Sequence, residues 1–488
     1  MSRFFSFSAS SRSADRPVDQ SLFVAFLCLL VWAPLPLGSN REWAWSLLQS
    51  GVFALSAWWL LAYVRGQFQL PEYMAAIKWP VVMLLMVCGW LLVQIIPLPL
   101  ALVQALSPVG ASLHLAADSE ASWIPLSVDP YATWQTLLKS LAYMLIFLLT
   151  IILVTSQKRA RMLGYTIVFS GLFQASYGSF MVLSGLEYGF FIAKDSYLGV
   201  ATGTFVNRNH LAGFLELSLA VGIGLMVGSL AQHNAKGWRQ HVRQLLTTLL
   251  SGKARLRIYL AIMVVALVLT HSRMGNTAFF SSLMIAGFLS LLISRMRNKR
   301  KGKKDAARLK PLLILLVSLI VIDVFIVGAW FGFDKVVERV EKTSHTSEQR
   351  DEVVMYGNKL FADFWLTGSG GGSFYSTFPA YQGSDIRVMY DHAHNDYLQF
   401  ASEFGVLATL ALAVFVILCL YAAVLAMWSR RSPFFRGMGF ACLMGGTALL
   451  VHSFVDFNLQ IPANAVYFMV VLALGYVGLL AEQGGKKG

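Results

Sequence analysis

Charge is scarce in this sequence. Only 13% of its 488 residues are Asp, Glu, Lys or Arg, about half the share of an ordinary soluble domain. So little charge cannot clothe a large soluble core, and 57% of the chain is hydrophobic. Acidic residues are the rarer sign, 25 against 39 basic ones, for a formal net charge of +14. No groove-reading motif accompanies that excess, so no nucleic-acid partner is expected. Cysteine is limited to Cys28, Cys88, Cys419 and Cys442, all inside apolar runs, which excludes a disulfide framework. Internal repeats of roughly 20–50 residues are missing, as is the inverted-repeat signature of a transporter.

What is present is a series of apolar runs. A crossing needs roughly 20 apolar residues, and runs of that kind lie near 21–37, 44–64, 80–97, 140–155, 163–185, 211–230, 258–271, 277–294, 311–332, 404–428, 437–456 and 464–481. The expected fold is all-α and integral to the membrane, with about twelve transmembrane helices. Arg3, Arg12 and Arg16 precede the first run, and Pro34 and Pro36 stand where a small-residue cleavage site would be. An uncleaved first helix is therefore expected.

Basic residues orient these spans. Short loops on one side hold about 28 Lys and Arg and those opposite about 4. Both termini (1–20 and 482–488) are expected in the cytoplasm, around spans 21–332 and 404–481. The 333–403 loop, between helices 9 and 10, is expected to face outward. Segment 231–257, with Arg239, Arg243, Leu245, Leu249 and Leu250, has the pattern of a basic amphipathic stretch on the cytoplasmic membrane surface. The run 295–310 is expected to be a solvated or lipid-contacting loop. Segment 98–138, which has no Lys or Arg, is expected to be re-entrant or to lie on the surface.

Ionisable groups at membrane depth are costly and mark function. Four polar groups fall on the outward side. They are Thr202–His210, which includes Asn207, Arg208, Asn209 and His210; the turn His271-Ser272-Arg273-Met274-Gly275; the run Asp391-His392-Ala393-His394-Asn395-Asp396; and His452 with Asp456 and Asn458. Arg208 and Arg273 carry the planar donor fork that suits a diphosphate, although either could also snorkel or cap a helix. The DHAHND run admits three readings. It can be a metal site, but an i, i+2 histidine pair points to opposite sides of a strand. It can hold a catalytic base, with Asp391 capping the next helix. It can be a polar loop at a helix start. The glycine-rich stretch Thr367–Phe374 lacks the Lys-Ser/Thr of a P-loop and is expected to be a flexible or tightly turning segment beside the site. A flippase or other transporter remains a rival reading, but its ionisable residues belong at mid-membrane, where this chain has few; Asp323 is one.

The order TGTFVNRNH with Arg208, HSRMG with Arg273, then a long loop ending in HAHNDYLQ resembles the O-antigen ligase and Wzy-type polymerase superfamily. The stretch from Arg350 through LTGSGGGSF to HAHNDYLQFASEFG is similar to that family's signature region, and HSFVDFNLQIPANA is similar to its C-terminal piece in some members. The resemblance spans roughly 190–480. It implies a helical bundle like that of the metal-independent lipid-phosphosugar glycosyltransferases (GT-C-like), in the bacterial inner membrane with a periplasmic site. It implies transfer of a glycan from undecaprenyl diphosphate to a hydroxyl on a glycan, lipid A core or protein, in lipopolysaccharide or exopolysaccharide assembly. Ligase, polymerase and protein O-oligosaccharyltransferase share this plan. By the resemblance, Arg208 and Arg273, with Arg350, hold the diphosphate and His394 is the base. His392, an additional histidine beside it, is the second catalytic candidate, and Asn207, Asn209, His210, Asp391, Asn395, Asp396, His452 and Asp456 support. No metal or other cofactor is expected.

Overall fold

The computed structural model describes residues 17–229, 252–300, 350–386 and 388–481. Helices dominate it, in the order α1 (Pro17–Trp32), α2 (Glu42–Val64), α3 (Lys78–Ile95), α4 (Leu100–Leu106), α5 (Pro108–Ala117), α6 (Pro130–Leu153), α7 (Gln157–Ser184), α8 (Arg208–Gly228), α9 (Gly252–Leu269), α10 (Arg273–Arg300), α11 (Arg350–Phe364), α12 (Asp396–Ser429), α13 (Pro433–His452) and α14 (Pro462–Leu480). Among the described residues, nine helices are long and apolar enough to cross a membrane, while Val18–Trp32 is apolar but shorter. Eleven of the twelve expected spans coincide with helices. The remaining one, 311–332, lies outside the described residues, as do 231–251 of the amphipathic stretch, 301–310 of the basic run and the loop up to 349.

The bundle is centred on α8, α13 and α14, whose most apolar windows are 89%, 78% and 89% buried. Small residues let two of these backbones meet. A Cβ on Gly437 would lie 2.2 Å from the Gly224 carbonyl oxygen, so neither position tolerates a side chain.

Two boundaries differ from expectation. Helix α6 begins at Pro130, not near 140, because Asp129 caps it by accepting from the Ala132 N–H at 3.0 Å. The rest of 98–138 folds as α4, α5 and a two-residue antiparallel pairing of Leu98-Pro99 with Trp123-Ile124. Helix α12 begins at Asp396, eight residues before the expected start, and absorbs the end of the expected loop.

Helix α12 is broken at Gly405, whose φ of +75° and ψ of 169° are not helical. The break frees the carbonyls of the preceding turn, and each finds a donor from elsewhere. Ser402 O accepts from Ser369 N, Glu403 O from Gly370 N and the Gln94 Nε2, and Phe404 O from the Trp90 Nε1. The glycine-rich stretch is therefore a tight turn packed into the kink. A Cβ on Gly368 would sit 2.1 Å from Glu403 O.

Candidate functional site

The four polar groups meet at one end of the bundle. Helix α8 starts there with Asn207 as its cap, the side chain accepting from Asn209 N at 2.8 Å. Helix α10 starts beside it after the turn Thr270-His271-Ser272, where Ser272 Oγ accepts from Gly275 N at 3.1 Å. The two helix starts touch, since a Cβ on Gly275 would lie 2.6 Å from the Ala212 Cβ, and the strand of chain before α8 is tied in by Ala201 N donating to Leu269 O. Arg208 and Arg273 thus open two adjacent helices at the same end. The Arg208 guanidinium lies 5.8 Å from the Tyr197 ring centre, and Arg273 is exposed. Helix N-termini and arginines both favour an anion here.

Phe457 is the hub. His392 stacks on its ring at 4.4 Å and 28°, while His394 and His210 meet it edge-on, each at 4.8 Å. The expectation that His392 and His394 diverge is corrected by the backbone. His394 has a φ of +50°, so the run is a sharp turn and not a strand, and both rings reach Phe457. The expected cap is corrected too. Asp391 is exposed, and Asn395 caps α12 by accepting from Leu398 N at 3.0 Å.

Acidic residues knit this cluster. Asp456 accepts from the Asn209 side chain and from Phe457 N, and one of its oxygens stands 3.8 Å from His210 Nε2. Asp396 accepts from Ser453 Oγ, Leu459 N and Gln460 Nε2, locking the start of α12 to the turn after α13. His452 lies a turn deeper, where its Nδ1 is 2.8 Å from Glu216 Oε1, both side chains fully buried. It belongs to the frame of the site through this pair with Glu216. Arg350 is the first residue of α11, a helix that packs on α12 through Gly357 and Leu398.

Sequence reading missed Phe457, Gln399, Glu403 and Glu216. Gln399 and Glu403 fall in the expected loop 333–403 because α12 starts eight residues ahead of its apolar run. Their i, i+4 spacing ahead of a long apolar run was the available signal. Burial keeps His392 below the ordinary histidine range, with the Asp391 charge acting in the opposite sense. Among the described residues, no three His, Cys, Asp or Glu are grouped so as to hold a metal ion.

Residues 258–413 match the family model described as O-antigen ligase. The match makes this region similar to the O-antigen ligase family. By its apolar helices the chain is a multi-pass membrane protein, and one part of it carries that similarity. Comparison with curated proteins gives no match. The matched region takes in Arg273, Arg350 and the run Asp391–Asp396. Arg208, His210, His452 and Asp456 lie outside the matched residues; of these, His210 and Asp456 reach the matched His392 and His394 through Phe457.

Proposed function

We propose that the protein is a glycosyltransferase of the bacterial inner membrane. It moves a glycan from undecaprenyl diphosphate to an acceptor hydroxyl at the periplasmic face, in cell-surface polysaccharide assembly. The observation that carries this reading is the gathering of Arg208, Arg273 and three histidines at one end of the helices. The match to the O-antigen ligase family supports it. In this reading the site end faces outward, both termini face the cytoplasm, and 333–403 is the periplasmic segment.

The chemistry follows from residue type. A diphosphate leaves readily once its growing charge is met, and Arg208, Arg273 and two positive helix ends supply that charge. A sugar or protein hydroxyl is a poor nucleophile, and His394 takes its proton. The acceptor oxygen bonds to the anomeric carbon, the carbon–oxygen bond to the diphosphate breaks, and its electron pair leaves with the phosphate. Direct displacement inverts the anomeric centre. The step runs without a metal ion.

The test is transfer by the purified protein from undecaprenyl-diphosphate glycan, with and without chelator, beside His394→Ala and Arg273→Ala. Chelator-resistant transfer abolished in both variants is expected. Full activity of the His394 variant overturns the site. A single addition to the acceptor identifies a ligase, which the family description favours, and a ladder of lengths identifies a polymerase.

A further inference from the structure

The two histidines of the HAHND run are not equivalent, and the hydrogen bonds around Gln399 say why. The Gln399 amide has two faces that look alike by shape alone, so its orientation must come from its partners. Its Oε1 lies 3.2 Å from the Ala393 N–H, a group that can only donate. Its Nε2 lies 3.0 Å from Glu403 Oε1. The two Glu403 oxygens also face backbone N–H groups, Oε2 that of Gly372 at 2.8 Å and Oε1 that of Phe374 at 3.3 Å. Both contacts demand the same orientation, with nitrogen toward Glu403.

That nitrogen also lies 3.0 Å from His392 Nδ1. An amide nitrogen donates and does not accept, so His392 Nδ1 must be the acceptor. Neutral imidazole carries one proton. With Nδ1 accepting, the proton is on Nε2. Burial disfavours the charged ring, which agrees.

We propose that Glu403 and Gln399 are positioning residues that lock His392 as a neutral Nε2–H donor, and that His392 hydrogen-bonds a substrate oxygen while His394 alone serves as base. The glycine-rich turn is the anchor of this device, since its N–H groups hold the Glu403 carboxyl and its backbone fills the kink at Gly405. The inference rests on the transferase reading for its substrate, but the tautomer stands on geometry alone. It accounts for His392 as a group that binds without accepting a proton. The DHAHND run thereby divides donor from base between residues two apart that share one Phe457 ring.

The experiment uses the full chain in nanodiscs with undecaprenyl-diphosphate glycan as donor, and compares His392→Gln, His392→Leu and Gln399→Leu. A glutamine side chain offers an N–H but titrates nowhere near neutrality. His392→Gln is expected to stay within a few-fold of the wild type with an unchanged pH profile, while His392→Leu falls about tenfold or more, as for a lost hydrogen bond to a charged oxygen. Gln399→Leu is expected to lose several-fold by releasing the ring to both tautomers. If His392→Gln is as inactive as His392→Leu, or loses the acid limb of the profile, the donor role is wrong and His392 is a base. Absence of wild-type transfer counts against the transferase reading only. The tautomer is then decided by the nitrogen-15 spectrum of histidine-labelled protein. One ring with bare Nδ1 and protonated Nε2, lost in His392→Gln, is expected, and the reverse pattern overturns the lock.

Discussion

Asn209 and Asp456 stand 247 positions apart in the chain, yet the Asn209 amide donates to the Asp456 carboxylate at the mouth of the bundle. This bond ties the first turn of α8 to the turn after α13. It also fixes the residue next to Phe457, whose N–H donates to the same carboxylate. The histidine cluster therefore depends on a contact that no local pattern contains.

Asp456→Ala removes the acceptor from both donors and leaves them buried without it. A buried polar group stripped of its partner costs about 1–3 kcal/mol. The expected outcome is a lower thermal midpoint together with reduced transfer, because Phe457 loses its anchor. Asp456→Asn keeps an oxygen for Phe457 N and should lose less of both. Melting curves in detergent and transfer rates measured on the same preparations check this. Equal losses in the two variants would show that charge facing His210, and not hydrogen bonding, is what matters.

Gly405 should tolerate no side chain. Its φ of +75° is in the region that L residues avoid, and a Cβ there would lie 2.3 Å from the Leu366 carbonyl oxygen. With its ψ of 169° this is a conformation that essentially only glycine adopts, costing about 1–3 kcal/mol for another residue, and the clash is with backbone that cannot rotate away. Gly405→Ala is expected to lower membrane yield and thermal midpoint sharply. Gly89→Ala, where a Cβ meets nothing within 4 Å, should leave both unchanged. Normal stability in Gly405→Ala would mean the kink is not a fixed feature.

The pH dependence has a definite sign. His392 is held below its ordinary value of 6.5 by burial, so the folded chain prefers the neutral ring and the unfolded chain takes the proton first. Its contribution to stability is present above about 6.5 and is lost as pH falls toward the lowered value. The wild type should therefore lose stability faster on acidification than His392→Gln does. Thermal midpoints of both proteins across mildly acidic buffers measure the difference. Parallel curves would place the ring in a more solvated setting.

The helices were legible because lipid demands long apolar runs, and such runs stand out in sequence. Eleven helices fall where those runs do. The starts of α6 and α12 were not legible, since their first turns carry polar residues, Gln135 and Lys139 in one and Gln399 and Glu403 in the other. Hydropathy discards such turns. Residue type singled out the arginines and histidines, but not the way they meet. That required the left-handed turn at His394 and the aromatic side chain of Phe457, which in sequence is one apolar residue among many. Gln399 and Glu403 became visible as a pair only when the helix was seen to begin at Asp396.

The two arginines should differ from lysine in what they bind. Arg208 and Arg273 are the first residues of adjacent helices. A guanidinium offers a paired donor fork that fits two phosphate oxygens at once, whereas an ammonium offers a point charge. Under the transferase reading, Arg208→Lys and Arg273→Lys keep the charge but lose the fork. Each is expected to raise KM for the diphosphate donor and lower kcat, by about tenfold in kcat/KM, since a bidentate charged contact is worth roughly twice a neutral one. Arg208 has a second role beside the Tyr197 ring, so Tyr197→Leu should reproduce part of the Arg208→Lys effect and none of the Arg273→Lys effect. The acceptor KM should not move in any of these variants. A change confined to the acceptor KM would reassign the arginines to acceptor binding and leave the diphosphate to other cations.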